Sequence, residues 1–248
     1  MRSVFFSLKN IPDRSDCEKI LKEYKLGNQI GRGAYGKVYD ICRDKDCNFI
    51  LKTMEFCKSK YEMIGAEKLS YEYKFNEWKK EIENQIEVIE CSKKYHSKFV
   101  PYVHDAWYCN EKNGDAIFYI VMEKYDGDLK SFINIFSKYD KDVNILLKSF
   151  IILKLELLTK SLEYINNSCN ICLDDIKLEN ILYKKCNDNT YELVFSDFGT
   201  SLFGKKCRHF FHFVKSLFGT SQVRFFLSKN NIVFFCFSKK IIVIHRHS

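Results

Sequence analysis

Hydrophobic and polar residues alternate along the first half of the chain in a way that predicts β-strands. Residues 24–55 alternate between apolar and polar positions, with glycines between the runs, as a set of antiparallel strands does. Phe99–Cys109 and Ala116–Glu123 show the same alternation on either side of a turn-like segment. We therefore expect the first half of the chain to be rich in β-sheet.

Longer periodicities predict helices between and after these strands. Lys58–Lys94 predicts one extended amphipathic helix, with room for a loop before it. Asp128 predicts an N-cap for a helix over Leu129–Phe136. Val143–Ile165 carries Leu and Ile on more than one face and predicts a long buried helix. The apolar positions at near-helical spacing in the first helix are Phe75, Trp78, Ile82, Ile86 and Ile89.

The order of these elements predicts an α+β fold with two lobes. Short strands at Ile181–Tyr183 and Tyr191–Phe195 bracket a polar turn in the otherwise helical second half. A β-rich first half followed by a helical second half favours two lobes with a cleft between them. The divisions that we predict are an N-terminal extension at residues 1–23, a first lobe at 24–123, a second lobe at 124–222 and a tail at 223–248.

The charge of the chain is concentrated at its end. The net charge is +8, yet residues 201–248 hold nine basic residues and no acidic one. The remaining 200 residues, with 31 basic and 32 acidic side chains, are almost neutral, so we expect no nucleic-acid partner. We see no signal peptide and no run of about 18 apolar residues, and we expect a cytoplasmic protein.

The 11 cysteines are scattered without a recognisable disulfide framework. With no secretory signal before them, they favour reduced thiols in a cytosolic-type compartment. Cys169 and Cys172 form one CxxC pair, but a zinc site needs a second pair of ligands. We therefore interpret this CxxC as incidental.

A glycine motif near the start of the chain indicates a phosphate-binding hairpin. Gly31-Arg-Gly33-Ala-Tyr-Gly36-Lys-Val38 has glycines that let a backbone hairpin approach phosphates, where a Cβ would collide. A dinucleotide-binding turn uses the same spacing but leads into a helix, whereas Lys37–Ile41 continues as a strand. Lys52 ends a later apolar strand. Such a lysine, seen alone, is usually a residue at a sheet edge that extends its ammonium group into water. Beneath a glycine hairpin, the same lysine is a cation that pairs with phosphate.

Two further motifs supply acidic and amide groups. In Asp175-Ile-Lys177-Leu-Glu-Asn180, one loop contains a carboxylate, an ammonium group and an amide, which can accept a proton, neutralise a phosphoryl group and bind a metal ion. A solvated turn is the alternative for this loop alone. Asp197-Phe-Gly199 follows a predicted strand, where an aspartate suits a metal-ligand position facing a cleft. The motifs occur in one order at workable distances, which favours a phosphoryl-transfer site.

From about Tyr24 to about Thr200, these motifs make the chain resemble a eukaryotic-type protein kinase of the serine/threonine type. The resemblance implies the two-lobed kinase fold, with a small β-rich N-lobe and a mainly helical C-lobe that we expect to be incomplete. It implies ATP-dependent transfer of a phosphoryl group to Ser/Thr hydroxyls, with ATP and Mg²⁺ as cofactors and a protein substrate as partner. We also expect a monomer.

The resemblance assigns roles to individual residues. It implies that Lys52 holds the α- and β-phosphates, that Asp175 is the catalytic base and that Lys177 contacts the γ-phosphate. Asn180, also counted as catalytic, and Asp197 would hold magnesium. The residues expected to cover the nucleotide from the glycine hairpin are Ile30, Gly31, Gly33, Gly36 and Val38.

The same resemblance implies an adenine site at the connection between the lobes. Met122 falls at the gatekeeper position, Glu123–Tyr125 form the hinge, and Asp128 meets the ribose as well as capping its helix. A glutamate of the long helix should pair with Lys52. We favour Glu81 for this pairing, with Glu87 and Glu77 as the alternatives.

The chain departs from the family pattern at several positions. Leu173-Asp174 replaces the usual His-Arg before Asp175, which predicts that a phosphate on the activation loop does not dock in the usual way. Ile50 replaces the small residue above the adenine and predicts a narrower pocket. Phe218-Gly219-Thr220 lies at a suitable distance, but the expected Pro-Glu anchor does not follow it.

The last residues have a different composition from the rest of the chain. Residues 201–248 contain 10 of the 22 phenylalanines, and Gln222-Val223-Arg224 can be encoded by a splice-donor-like sequence. We hypothesise that Val223 onward is intron read-through or a frameshift. The alternative, a basic aromatic tail that meets a membrane surface, is less favoured, and we expect no membrane contact.

Two other classes of function compete with a protein kinase. One is an inactive, kinase-like nucleotide-binding or decoy module, favoured by the missing helical platform. Against it stands the intact set Lys52, Asp175, Asn180 and Asp197. The other is a small-molecule phosphotransferase, which shares the Asp and Asn chemistry but seldom combines a full glycine loop with Asp-Phe-Gly.

Overall fold

The computed structural model describes residues 15–33, 36–59, 70–93, 98–136, 157–158, 160–173, 175–187, 190–203, 223–227, 233–237 and 240–244. A short helix, α1 (Lys19–Glu23), precedes a five-stranded sheet in which every neighbouring pair is antiparallel. The predicted β-rich first half is thus confirmed. The strands, in the spatial order β1-β2-β3-β5-β4, are β1 (Lys25–Gly33), β2 (Gly36–Arg43), β3 (Asp46–Phe56), β4 (Val103–Asn110) and β5 (Ala116–Glu123).

The two faces of this sheet bury different side chains, as the two-residue period of a strand requires. On β5, Phe118 and Ile120 pack into the larger core, whereas Val121 packs into a smaller cluster with Trp107 and Tyr24. All five are at most 7% exposed. Burial on both faces fixes the register of the sheet, because a one-residue slip would exchange the two sets.

The long helix α2 (Tyr71–Lys93) packs against the larger core. Trp78 and Ile82 are fully buried there, and the indole N–H of Trp78 donates to the carbonyl oxygen of Tyr119 at 3.2 Å. The helix begins at Tyr71, within the predicted range Lys58–Lys94, which left room for a loop before the helix. Its first turn follows Ser70, whose hydroxyl oxygen accepts a hydrogen bond from the backbone N–H of Tyr73 at 3.2 Å. Residues 60–69 lie outside the described residues.

The second part of the chain contains short strands and helices. The prediction that Asp128 caps the helix α3 (Leu129–Phe136) is confirmed, because Oδ1 of Asp128 accepts from the backbone N–H of Ser131 at 2.7 Å. Residues 160–168 form α4, so the helix predicted to end at Ile165 continues past it. Most of the rest of that predicted helix, residues 143–156 and 159, lies outside the described residues.

Two small antiparallel sheets complete this part of the fold. One has the order β6-β8-β9, and the other pairs β7 with β10. The predicted strands at residues 181–183 and 191–195 are confirmed in β8 and β9. The strands are β6 (Gly127–Asp128), β7 (Ile171–Cys172), β8 (Ile181–Lys185), β9 (Tyr191–Phe195) and β10 (Leu202–Phe203).

Within the described residues, three disulfides overturn the expectation of reduced thiols for the cysteines that they join. They join Cys17 to Cys109, Cys42 to Cys47 and Cys91 to Cys169. The fold brings each pair together: the Cys42–Cys47 pair spans the turn between β2 and β3, whereas the Cys91–Cys169 pair joins the last turn of α2 to the end of α4. Cys169 of the CxxC is therefore a disulfide partner and not a metal ligand.

The described part of the tail forms a third small sheet. The strands β11 (Val223–Leu227), β12 (Val233–Phe237) and β13 (Lys240–Ile244) pair in sequence order and are antiparallel. Their sequences are rich in β-branched and aromatic residues, which favour strands. Within the described residues, no helix combines the length and the apolar character that crossing a bilayer requires.

Candidate active site

A cleft of about 360 Å³ lies between the glycine hairpin of β1 and β2 and the segment that carries β8 and β9. It gathers most of the residues that the sequence motifs single out, although these lie far apart in the chain. Gly33, Glu123, Asp175 and Lys177 are not among its lining residues. The predicted site residues that line it are Ile30, Gly31, Gly36, Val38, Lys52, Glu81, Met122, Tyr125, Asp128, Asn180 and Asp197.

Lys52 is the central cation of this cleft. Its Nζ lies 2.6 Å from Oε1 of Glu81 and 3.3 Å from Oδ1 of Asp197. β3 supplies the lysine, α2 supplies the glutamate, and the turn after β9 supplies the aspartate. The glutamate in contact with Lys52 is thus Glu81, whereas Glu77 pairs with Lys74 at 2.8 Å. Three separate elements are therefore joined by one ammonium group.

Burial by itself shifts the pKa of Lys52 and the pKa of Glu81 in opposite directions. Burial by itself would lower the pKa of Lys52, but the carboxylates of Glu81 and Asp197 outweigh burial and raise that pKa above its ordinary value. Lys52 therefore stays cationic at neutral pH. Glu81 is only 3% exposed, and burial raises its pKa despite the nearby lysine.

Asp197 has a left-handed backbone conformation just after the end of β9. Its φ of 63° lies in the left-handed region, which residues other than glycine seldom adopt. It follows β9, and the preceding Ser196 donates its backbone N–H to the carbonyl oxygen of Asn180 at 2.9 Å. This bond ties Asn180 to the start of the segment that presents Asp197.

Asp175, Lys177 and Asn180 form a compact loop just before β8. The ammonium group of Lys177 contacts Oδ2 of Asp175. Nδ2 of Asn180 donates to the carbonyl oxygen of Asp175 at 2.8 Å and to Oδ2 of the same residue at 3.2 Å. These bonds fix the carboxylate of Asp175 relative to Asn180, and its hydrogen bond to Lys177 raises the pKa of the lysine.

Oδ1 of Asn180 and Oδ2 of Asp197 each have no hydrogen-bonding partner within the described residues. Amide and carboxylate oxygens are hard donors that suit Mg²⁺. The donor set of the cleft therefore fits this ion, with the two residues on neighbouring segments joined by the bond from Ser196 to Asn180.

The connection between β5 and β6, together with the end of β5, forms another part of the cleft wall. Met122 is 8% exposed, and its sulfur lies 3.5 Å from Nε2 of Gln85 on α2. Glu123, Lys124 and Asp126 each donate their backbone N–H to another segment. The backbone N–H and C=O of Tyr125 have no backbone partner in the described part of the chain, so they are available to a ligand.

The glycine motif forms the turn between β1 and β2. Gly31 pairs with Val38, and Gly33 pairs with Gly36, across the antiparallel ladder. Residues 34 and 35 at the tip lie outside the described residues. This confirms that the motif continues as a strand instead of leading into a helix, which separates it from a dinucleotide-binding turn.

Gly36 is required by packing as well as by the motif. A Cβ on this residue would lie 1.6 Å from the carbonyl oxygen of Thr53 on β3, which is an impossible contact. We predict that Gly36→Ala lowers the free energy of unfolding by about 1–3 kcal/mol, because the strands must separate to accept the methyl group.

The matched control is Gly31→Ala in the same motif. A Cβ there would meet its nearest neighbour, Cβ of Val38, at an ordinary 3.5 Å. Its unfolding midpoint in urea should stay close to that of the wild-type protein. Equal midpoints for the two variants would show that β2 and β3 are not as close at Gly36 as the structure has them.

Several residues of the site were not predicted. Leu182 of β8 and Glu179 line the cleft, as does Arg32 within the glycine motif. The two-residue period of β8 offered a signal for Leu182, because Ile181 beside it is fully buried and faces the other way. Asn84, one turn after Glu81, donates to the carbonyl oxygens of Phe198 and Ser201 at 3.4 and 3.3 Å, and no sequence signal pointed to it.

Two of the residues that depart from the family pattern, Ile50 and Leu173, are among the described residues. Ile50 lines the cleft, as expected for a residue above a bound base. Leu173 is buried at 4% exposure in the same core as Phe198. Asp174 and the segment with Phe218-Gly219-Thr220 lie outside the described residues.

The fold and this arrangement of charged groups are those of a phosphoryl-transfer enzyme. Residues 24–223 match the protein kinase domain family. This match spans more than half of the chain, which therefore belongs to the protein kinase family. A search among curated proteins found no match.

Proposed function

We propose that the chain transfers the γ-phosphoryl group of ATP to serine or threonine hydroxyls of a protein substrate. The observation that carries the proposal is the position of Lys52 between Glu81 and Asp197, in a cleft that Asn180 also lines. A cation for the phosphates and oxygen donors for a metal ion are the groups that this reaction needs.

The nucleotide would lie with its base against the apolar side chains of the cleft. Ile50, Met122 and Leu182 offer these surfaces, and the free N–H and C=O of Tyr125 can bind the edge of the base. Asp128, which lines the same cleft, is suitably placed for the ribose. Lys52 and the glycine hairpin would then hold the phosphates.

In the proposed reaction, Asp175 accepts the proton of the substrate hydroxyl. The hydroxyl oxygen bonds to the γ-phosphorus while the bond from that phosphorus to the β–γ bridging oxygen breaks, so ADP leaves. Lys177, in contact with Asp175, neutralises charge on the moving phosphoryl group. Asn180 and Asp197 would hold Mg²⁺, which neutralises negative charge on the phosphates.

The proposed preference for serine and threonine rests on Lys177. It stands two residues after Asp175, as in the serine/threonine members that the chain resembles. Tyrosine kinases usually have other residues at this position.

The direct test is an assay with radiolabelled ATP and casein. We expect Mg²⁺-dependent labelling of casein, with the label on phosphoserine and phosphothreonine after acid hydrolysis. Label on phosphotyrosine would overturn the serine/threonine assignment. ATP binding without any transfer would favour the inactive nucleotide-binding module, and transfer to small alcohols alone would favour a small-molecule phosphotransferase.

A further inference from the structure

The carboxylate of Glu123, at the end of β5, is shared by two lysines from different parts of the chain. Nζ of Lys98, in the segment before β4, lies 2.6 Å from Oε2 of Glu123. Nζ of Lys184, on β8, lies 3.1 Å from Oε1. Lys98 also approaches Oε2 of Glu192 on β9 at 3.5 Å. We call Lys98, Glu123, Lys184 and Glu192 the hinge clamp.

The hinge clamp is partly shielded from water. The side chain of Glu123 is 16% exposed and that of Lys98 is 21% exposed. Burial opposes ionisation of Glu123, but the two lysines outweigh it and hold the pKa of Glu123 below its ordinary value. Shielded charges that contact one another fix geometry more firmly than an exposed ion pair does.

Tyr125 connects the hinge clamp to the cleft. Lys98 and Lys184 lie 5.3 and 5.7 Å from the centre of its ring, and its hydroxyl lies 3.5 Å from Oε2 of Glu192. The residue is 7% exposed and also lines the cleft. Its ring thus contacts the clamp, and the same residue lines the cleft that holds the proposed base site.

Backbone bonds extend the clamp to both lobes. The carbonyl oxygen of Tyr102 accepts from the N–H of Glu123 at 3.0 Å, and that of Phe99 accepts from the N–H of Phe195 at 2.8 Å. The segment that contains Lys98 therefore contacts the end of β5 and also β9, which leads to Asp197. The clamp thus joins the end of β5 to β8 and β9.

We propose that Lys98 and Lys184 are positioning residues for the nucleotide, because they hold Glu123 and Tyr125 so that the Tyr125 backbone faces the cleft. This inference rests on the proposed function and extends it. Neither lysine lines the cleft. The clamp would stabilise bound nucleotide equally before and during transfer, and such uniform binding changes Kd and KM but not kcat.

The test is the variant Lys98→Met, studied by calorimetric titration with ATP and by initial-rate kinetics. We expect Kd and KM for ATP to rise by about tenfold, in the range of couplings between contacting charged groups, and kcat to change by less than about twofold. Lys98→Arg keeps the positive charge and should restore Kd to within about threefold of the wild-type value.

Two further variants keep the test decisive. Lys79→Met removes an exposed lysine whose partner, Glu83, is on the same helix, and it should leave Kd unchanged. Glu192→Gln weakens only the outer contacts of the clamp and should raise Kd by about threefold, so it carries the test if Lys98→Met fails to fold.

The outcomes separate this inference from the proposed function. Wild-type affinity for ATP in folded Lys98→Met, or in Glu192→Gln if the first variant does not fold, would overturn the positioning role. A rise in kcat would also overturn it, because the clamp would then restrain the enzyme. A wild-type protein that binds no ATP would instead contradict the proposed function.

Discussion

Replacing Asp175 with asparagine should lower the rate of phosphoryl transfer by about 10²- to 10⁴-fold, the usual contribution of a general base. The amide keeps the shape of the side chain but cannot accept the proton of the substrate hydroxyl. The side chain is 40% exposed, so the substitution buries no unpaired group and the fold should remain intact. The measurement is the initial rate of casein labelling, together with the Kd for ATP.

The affinity for ATP should be almost unchanged in Asp175→Asn, because the lost interaction forms only in the transition state. Glu83→Gln is the control: this helix carboxylate is exposed to the same 40%, and its variant should keep full activity. If Asp175→Asn labels casein as fast as the wild-type protein, Asp175 is not the base. A fall in rate that comes with a matching loss of ATP binding would assign it to nucleotide binding instead.

The cleft could be predicted from the sequence wherever a role depends on a short motif. Asp175 and Asn180 are five residues apart, so one loop must bring them together, and their hydrogen bonds follow. Gly31 and Gly36 likewise belong to one hairpin. Local chain geometry restricts such residues to a few spatial arrangements, and a sequence motif indicates which of these arrangements is present.

The partner of Lys52 is a harder case, because it depends on how a helix sits above a sheet. Glu77 and Glu81 are one turn apart and share a face of α2, so periodicity alone cannot choose between them. Glu87, six residues after Glu81, lies on a different side of the helix. In the structure, Trp78 and Ile82 pack into the core and position α2 relative to β3. With the helix in this position, Glu81 contacts Lys52.

The long-range disulfides and the hinge clamp could not be predicted, because no local pattern encodes them. Cys91 and Cys169 are 78 residues apart and meet only where the end of α2 packs beside the end of α4. Lys98 and Lys184 belong to no motif, and each would be read as a solvated lysine. Such contacts are properties of the tertiary structure, which one sequence specifies only through the whole fold.

Replacing Lys52 with methionine should lower the free energy of unfolding by about 3–5 kcal/mol, the usual cost of removing one partner of a buried ion pair. Glu81, at 3% exposure, would then hold an uncompensated carboxylate. Because burial already raises the pKa of Glu81, protonation relieves this cost, so the deficit should be smaller at about pH 5 than at about pH 8. Urea unfolding at both pH values measures it. The control is Lys37→Met, whose partner Glu55 is 51% exposed, and it should cost at most about 1 kcal/mol.

The double variant Lys52→Met/Glu81→Met separates stability from chemistry. It removes both buried charges. Asp197, whose side chain is 29% exposed, is then solvated by water. An apolar pair of similar volume often replaces a buried ion pair without loss, so the double variant should recover to within about 1 kcal/mol of the wild-type stability. Labelling of casein should nevertheless remain absent, because the phosphates would have lost their cation.

A stable double variant that still transfers phosphate would show that Lys52 serves the fold alone. If the double variant is no more stable than Lys52→Met, the single-variant deficit does not come from an unpaired Glu81.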